Sequence, residues 1–341
     1  MTQSAGMVRR PRRAQVLLLA LVVVSVVLWG LGASVGSTGF TQVWNLADDP
    51  MATRIVWDIR LPRSLGAWLA GALLGLSGAV AQGLFRNPLA DPFLLGSASG
   101  ASLGVATAMA LFGVAPAMVW LTRLGLTGAA FIGATLAVVL TLQLARGVQH
   151  TLRLLLAGVI VGVVLAAVKD LITLAVPEII PAMQGFNLGS AGYIGWSACV
   201  LMLGAWCVCA LAAWVFSRAL DGLSLGEATA ASLGLPLPAM RVALVAVLAL
   251  STGTSVAQTG LIAFVGLAAP HLVRSLVKGT HAWLVLLASL MGGVLLLAAD
   301  ILARWVIAPQ ELPVGVLTAV MGGSYLLWLM HRRSSGLGGA R

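Results

Sequence analysis

Ten apolar stretches, separated by short polar or proline-containing segments, dominate this chain: residues 16–31, 65–84, 94–112, 124–144, 152–176, 194–216, 242–257, 261–273, 283–299 and 314–330. Most approach the ~20 residues an α-helix needs to cross a ~30 Å hydrocarbon core. In lipid the backbone must satisfy its own hydrogen bonds, which leaves only helices and closed barrels. Barrel strands alternate apolar and polar residues, and these runs are unbroken. With 60% hydrophobic and 9% charged residues, against roughly a quarter charged in soluble domains, too few charges remain to coat a water-facing surface. The expectation is an all-α polytopic membrane protein of about ten transmembrane helices, with 261–273 short enough to be a re-entrant half-helix.

Charge placement sets the topology. Arg9, Arg10, Arg12 and Arg13 precede the first run, and Arg332 and Arg333 follow the last. Basic flanks prefer the cytoplasm, so both termini are expected there and the number of spans is even. The net charge of +10 thus reads as a topology signal in a bilayer, with no nucleic-acid partner. The first run resembles the apolar core of a signal peptide, with Ala33 and Ser34 beyond it, but the even count favours a retained span. One membrane domain is expected over 1–341, with basic tails at 1–14 and 331–341, in the bacterial inner membrane.

Several chemistries find no residues. Cys199, Cys207 and Cys209 share one apolar run without a C-x-x-C spacing and are expected to be buried. The histidines, His150, His271, His281 and His331, are scattered and make no metal motif. No G-x-x-x-x-G-K-[ST] phosphate loop occurs, and the lysines are Lys169 and Lys278 alone, so any ATP is handled by another chain. The 40 glycines write small-residue stripes at 71, 75 and 78 and at 96, 100 and 104. Such stripes permit close helix packing or line a cavity.

The densest polar pattern lies within residues 60–104, RLPRSLGAWLAGALLGLSGAVAQGLFRNPLADPFLLGSASGASLG. Prolines 88 and 92 stop both flanking helices, and Asn87 and Asp91 suit the freed backbone groups. This segment, with SLGEATAASLGLP at 224–236, GLIAFVGLAAPHLVR at 260–274, DILAR at 300–304 and LPVGVLT at 312–318, resembles the FecCD family. Its members are permease subunits of type II ABC importers for vitamin B12, haem and ferric siderophores. The resemblance runs collinearly from about residue 60 to the end.

It implies a vitamin B12-importer-like permease fold with an inverted pseudo-repeat, helices 2–5 against 7–10. In this chain only Ala81-Gln82-Gly83 and Ala257-Gln258-Thr259-Gly260 echo such a repeat. Implied partners are a second copy as a homodimer, two cytoplasmic P-loop ATPase subunits and a periplasmic substrate-binding protein. The chain itself is expected to be no enzyme and to bind no cofactor or metal. ATP and Mg belong to the ATPase, and haem or another metal chelate is cargo, moved from periplasm to cytoplasm by alternating access.

Carried over to matching positions, the resemblance implies that Arg60, Arg63 and Arg304 meet carboxylates of the binding protein, although Asp300, four residues before Arg304, could pair with it instead. Residues 218–237 become the coupling element, with Leu225, Glu227, Ala228, Ala231 and Leu233 touching the ATPase and Gly234 ending the helix. Asn87 and Leu89 match an inner gate, and Arg146 and His150 a second gate element. Lys169 and Asp170 are intramembrane or interfacial charges, functional by default, and are candidates to line an outer vestibule. They project about 100° apart on a helix and are not expected to pair. Gly322-Gly323-Ser324-Tyr325 and residues 184–190 depart from the family pattern. A gradient-driven secondary transporter, with Asp170 and Lys169 as an ion relay, is the rival reading. Among cargoes haem is slightly favoured.

Overall fold

The computed structural model describes residues 4–36, 39–40, 50–113, 120–144 and 151–337. Its helices are, in order, α1 (Ser4–Ser34), α2 (Pro50–Ile55), α3 (Leu61–Leu84), α4 (Ser97–Phe112), α5 (Trp120–Leu144), α6 (Thr151–Ala175), α7 (Ile180–Leu188), α8 (Trp196–Val215), α9 (Ser217–Ser224), α10 (Glu227–Ser232), α11 (Leu237–Thr259), α12 (Val265–Leu276), α13 (His281–Trp305) and α14 (Val314–Leu337). A π-helical turn, Val56–Arg60, joins α2 to α3. The strands β1 (Val35–Gly36) and β2 (Gly39–Phe40) pair antiparallel after α1.

Among the described residues, seven helices are long and apolar enough to cross a membrane, and α4 and α14 supply shorter apolar helices. Together with α12, they place every one of the expected runs on a helix. The 12 residues of α12 rise about 18 Å, well short of ~30 Å, so it is a half-helix. Residues 260–264 lead into it without helical structure, between Gly260 at φ 70° and Phe264 at φ 69°. Their backbone is still satisfied. Leu261 N–H donates to the Phe186 carbonyl at 2.9 Å, Ser190 N–H to Thr259 at 2.8 Å, and Gly315 N–H to Gly189 at 3.2 Å. These bonds knit the ends of α7 and α11 to the start of α14.

The centre of the molecule is α3. From Pro62 to Gly83 every residue except Leu65 is buried, the condition for a helix that is apolar all round. Around it stand α1, α8, α11, α12 and α13. Lipid gives no hydrophobic drive for helices to associate, so packing and interhelical hydrogen bonds must hold them. Trp68 Nε1 donates to Ser25 Oγ at 2.9 Å, Trp206 Nε1 to Ser289 Oγ at 2.7 Å, and Ser289 Oγ to the Ala72 carbonyl at 3.0 Å. Trp68 also meets Trp29 and Trp206 edge-on, with centroids 5.4 and 5.9 Å apart.

Both glycine stripes serve backbone contact. A methyl group at Gly71, Gly75 or Gly78 would collide with the carbonyl oxygens of Gly292, Ala288 and Gly266. On α4, Gly100 and Gly133 of α5 abut each other's carbonyls in the same way. These glycines face neighbouring helices and line no passage, because their surfaces are already occupied. Cys199 and Cys209 are buried as expected, but Cys207 is exposed on the outer face of α8, two positions from Cys209 and so on another side of the helix.

Gly75→Ala is expected to push α3 from α13 and to lower the unfolding midpoint in detergent, at a cost of about 1–3 kcal/mol. Gly204→Ala, which meets open space, should leave the midpoint unchanged or raise it.

Candidate functional site

Three places concentrate polar side chains: one end of the bundle where α1 stops and α3 starts, the turn after α3, and the α9–α10 element. At the first, Asp300 of α13 is completely buried and Arg304 is 1% exposed. Arg63 of α3 reaches Asp300 with Nη2 at 2.9 Å and Nε at 3.2 Å, and its Nη1 lies 2.7 Å from Glu311 Oε2. Arg304, one helical turn beyond Asp300, donates Nε to it at 2.9 Å and adds a second bond through Nη2. Burying an ion costs several kcal/mol unless it is paired and hydrogen-bonded. Here two arginines face two carboxylates, so charge is balanced.

The remaining donors close α1. Its last carbonyls have no intrahelical partner and carry the negative end of the helix dipole. Arg304 Nη1 donates to Gly32 at 3.0 Å, and Arg60 Nη1 donates to Ser34 at 2.9 Å and Ala33 at 3.4 Å. Arg304 Nη2 also bonds Ser64 Oγ at 3.2 Å. Arg60, Arg63 and Arg304, expected at an open docking surface, are therefore turned inward and occupied. The i, i+4 alternative for Arg304 is present, and Arg63 shares the same carboxylate. Glu311 had no sequence signal, since it lies 248 positions from its partner.

The turn after α3 is built from its own backbone. Arg86 takes a positive φ of 50°, Asn87 Oδ1 accepts from Leu89 N–H at 2.9 Å, and Asp91 Oδ1 accepts from Phe93 N–H at 2.8 Å. A 3-10 turn, Pro92–Leu95, then leads through Gly96 at φ 76° into α4. Leu89 is 47% exposed at the tip. The α11–α12 junction repeats this plan, a long helix followed by an irregular segment, a left-handed residue and a shorter helix. Gln82 and Gln258, in the echoing segments, both bond across helices, to Arg274 and to Thr127. Arg146 and His150 lie outside the described residues.

In the third place, α9 is anchored and α10 is presented. Leu220 and Leu223 are buried, and Asp221 Oδ1 accepts from His281 N–H at 3.0 Å and pairs with Nδ1 at 2.7 Å, tying α9 to the start of α13. Gly226 at φ 107° separates α9 from α10, and Gly234 at φ 75° ends it. Leu225 and Leu233 stand 66% and 64% exposed, with Ala228 and Ala231 exposed between them. Glu227, expected to contact the ATPase, pairs with Arg241 at 2.5 Å and stays part-exposed.

Lys169 and Asp170 correct another expectation. Their Cβ atoms diverge, yet Lys169 Nζ lies 2.8 Å from Asp170 Oδ1, because the four-carbon lysine stem bends round the helix. The Asp170 side chain is 70% exposed.

Asp300→Asn is expected to leave two buried arginines short of charge and to destabilise the protein by about 3–5 kcal/mol. Glu311→Gln, at a part-exposed pair, should cost no more than about 1 kcal/mol; thermal melts in detergent compare them. Burial pushes the Asp91 carboxyl from its ordinary 3.8 up to about 6, against the opposing hydrogen bond from Phe93. The fold thus favours the protonated form. The stabilising contribution of Asp91 should be fullest below about pH 4, fall as pH rises through about 6 and vanish above, so wild type minus Asp91→Asn should show that slope.

Comparison with known proteins places this arrangement. Residues 17–332 match the FecCD transport family. The hemin transport system permease protein of Yersinia pestis is 36% identical over 323 residues, covering 93% of this chain and 96% of that protein. The vitamin B12 import system permease protein of Escherichia coli is 39% identical over 298 residues, covering 85% and 88%. A metal-chelate type ABC transporter solved in an inward-facing conformation superposes with a TM-score of 0.81 at 28% identity, covering 94% of this chain and 99% of that one. The chain is a member of the FecCD transport family.

Proposed function

We propose that this chain is the membrane permease of an ATP-driven importer whose cargo is haem. The observation that carries the reading is end-to-end similarity to a hemin permease across 93% of the chain. Cobalamin is the second reading, supported by the vitamin B12 permease at 39% identity. Both cargoes are large tetrapyrrole-type metal complexes, so a path suited to one suits the chemistry of the other. Ferric siderophores form the third class to be tested.

In this reading two copies of the chain enclose the path, and two P-loop ATPases supply the energy, the chain itself having no phosphate loop. A periplasmic binding protein delivers the cargo. Arg60, Arg63 and Arg304 shape the docking rim from beneath, by fixing α1, α3 and α13 to one another, and the part-exposed Glu311 belongs to the same rim. The ATPase seats on Leu225, Ala228, Ala231 and Leu233, whose apolar exposure on and beside the presented short helix α10 suits a protein groove. Asn87 and Leu89 form the inner gate on a self-braced turn. An ion relay through Asp170 has little to recommend it, since that carboxylate is exposed and already paired with Lys169.

The test is reconstitution of the chain with its ATPase in liposomes, with binding protein loaded in turn with haem, cobalamin or a ferric siderophore. Haem should stimulate ATP hydrolysis and enter the lumen. Stimulation by cobalamin alone would replace the cargo, and uptake driven only by an ion gradient would overturn the importer. Leu225→Asp with Leu233→Asp should reduce stimulated hydrolysis at least about ten-fold, the loss expected for apolar anchors at an interface, with the melting midpoint unchanged.

A further inference from the structure

A cavity of about 330 Å³ opens where α12 ends and α13 begins. It lies against neither the gate tip nor the exposed face of α10, and its walls divide by polarity. Val273 and Leu287 are buried and give it an apolar side. Arg274, Lys278 and His281 line it as well, together with Trp283. No carboxylate is among the described residues that line it.

The local charge is not neutralised. Arg274 bonds the side-chain oxygen of Gln82, a neutral amide. Lys278 is exposed and forms no ion pair among the described residues. Asp221, a carboxylate next to His281, is held by it from the α9 side. The cavity also sits at a helix-end level of the bundle, beside the last turn of α3, where Gly83 leaves room for the His281 ring.

We infer that this cavity binds an anionic phospholipid. The phosphate meets Lys278 and the forked donors of Arg274, and the first acyl carbons run along Val273 and Leu287. An apolar ligand would leave the cations without a counter-charge, and a free phosphate would gain nothing from the apolar wall. Basic pockets between helices at a membrane surface suit lipid headgroups. Trp283 suits the same level, where aromatic rings collect. Through the His281–Asp221 pair, the occupied cavity abuts the anchor of α9.

Native mass spectrometry of the full chain in detergent tests this, with phosphatidylglycerol, phosphatidylcholine or glycerol phosphate added. The wild-type chain should retain phosphatidylglycerol in preference to phosphatidylcholine. Lys278→Gln should weaken retention about five-fold, the usual effect of one basic residue near a charged lipid surface. Arg274→Lys, which keeps the charge but loses the fork, should weaken it less. Arg54→Gln, an exposed cation on α2, should leave retention unchanged. Because Lys278 is exposed, its replacement should leave the melting midpoint in place. Equal retention by wild type and Lys278→Gln would overturn the proposal, as would equal binding of phosphatidylcholine. Displacement of the lipid by glycerol phosphate would reassign the cavity to a soluble anion and overturn it too.

Discussion

Close approach of α3 and α13, carbonyl oxygen against glycine, is the contact on which the rest of the molecule is built. In water a buried helix gains stability from the apolar surface it removes from solvent. In lipid that gain is absent between helices, so the favourable term must come from dense packing and from hydrogen bonds that cross the interface. Gly71, Gly75 and Gly78 bring α3 to its neighbours' carbonyls, and Ser289 then reaches the Ala72 carbonyl. With its centre fixed this way, α3 positions its two ends: one presents Arg60 and Arg63, and the other opens into the Asn87 turn.

The charged cluster at the start of α3 shows how buried charge can tie helix ends together. Two arginines converge on Asp300, and their remaining donors cap α1. Each guanidinium has a carboxylate or a carbonyl as partner, and together they fix where three helix ends sit relative to one another.

Much of this was legible in the sequence, for physical reasons that differ by feature. The spans could be read because a lipid-facing or buried helix excludes charge along its length. The half-length of 261–273 was visible in its residue count, and the end of α10 in the Gly234 stop before Pro236. What escaped were contacts between distant residues: Gln82 with Arg274, separated by 192 positions, Asp221 with His281, and Arg63 with Glu311. A lone polar residue in an apolar run announces that it needs a partner but not which one. Lys169 and Asp170 misled for the opposite reason, since backbone projection ignores the reach of a lysine. The glycine stripes left packing and cavity open, and the backbones opposite them, Gly292 and Ala288 for one stripe and Gly133 and Ala129 for the other, decide for packing.

The junction among α7, α11 and α14 has a different kind of consequence. It is made by main-chain groups at Phe186, Gly189, Ser190, Thr259, Leu261 and Gly315, with side chains needed only to stay small at the glycines. A joint of that kind depends little on which side chains surround it, so long as the glycines keep their close approach; the register of three helix ends is held by groups that every residue but proline carries.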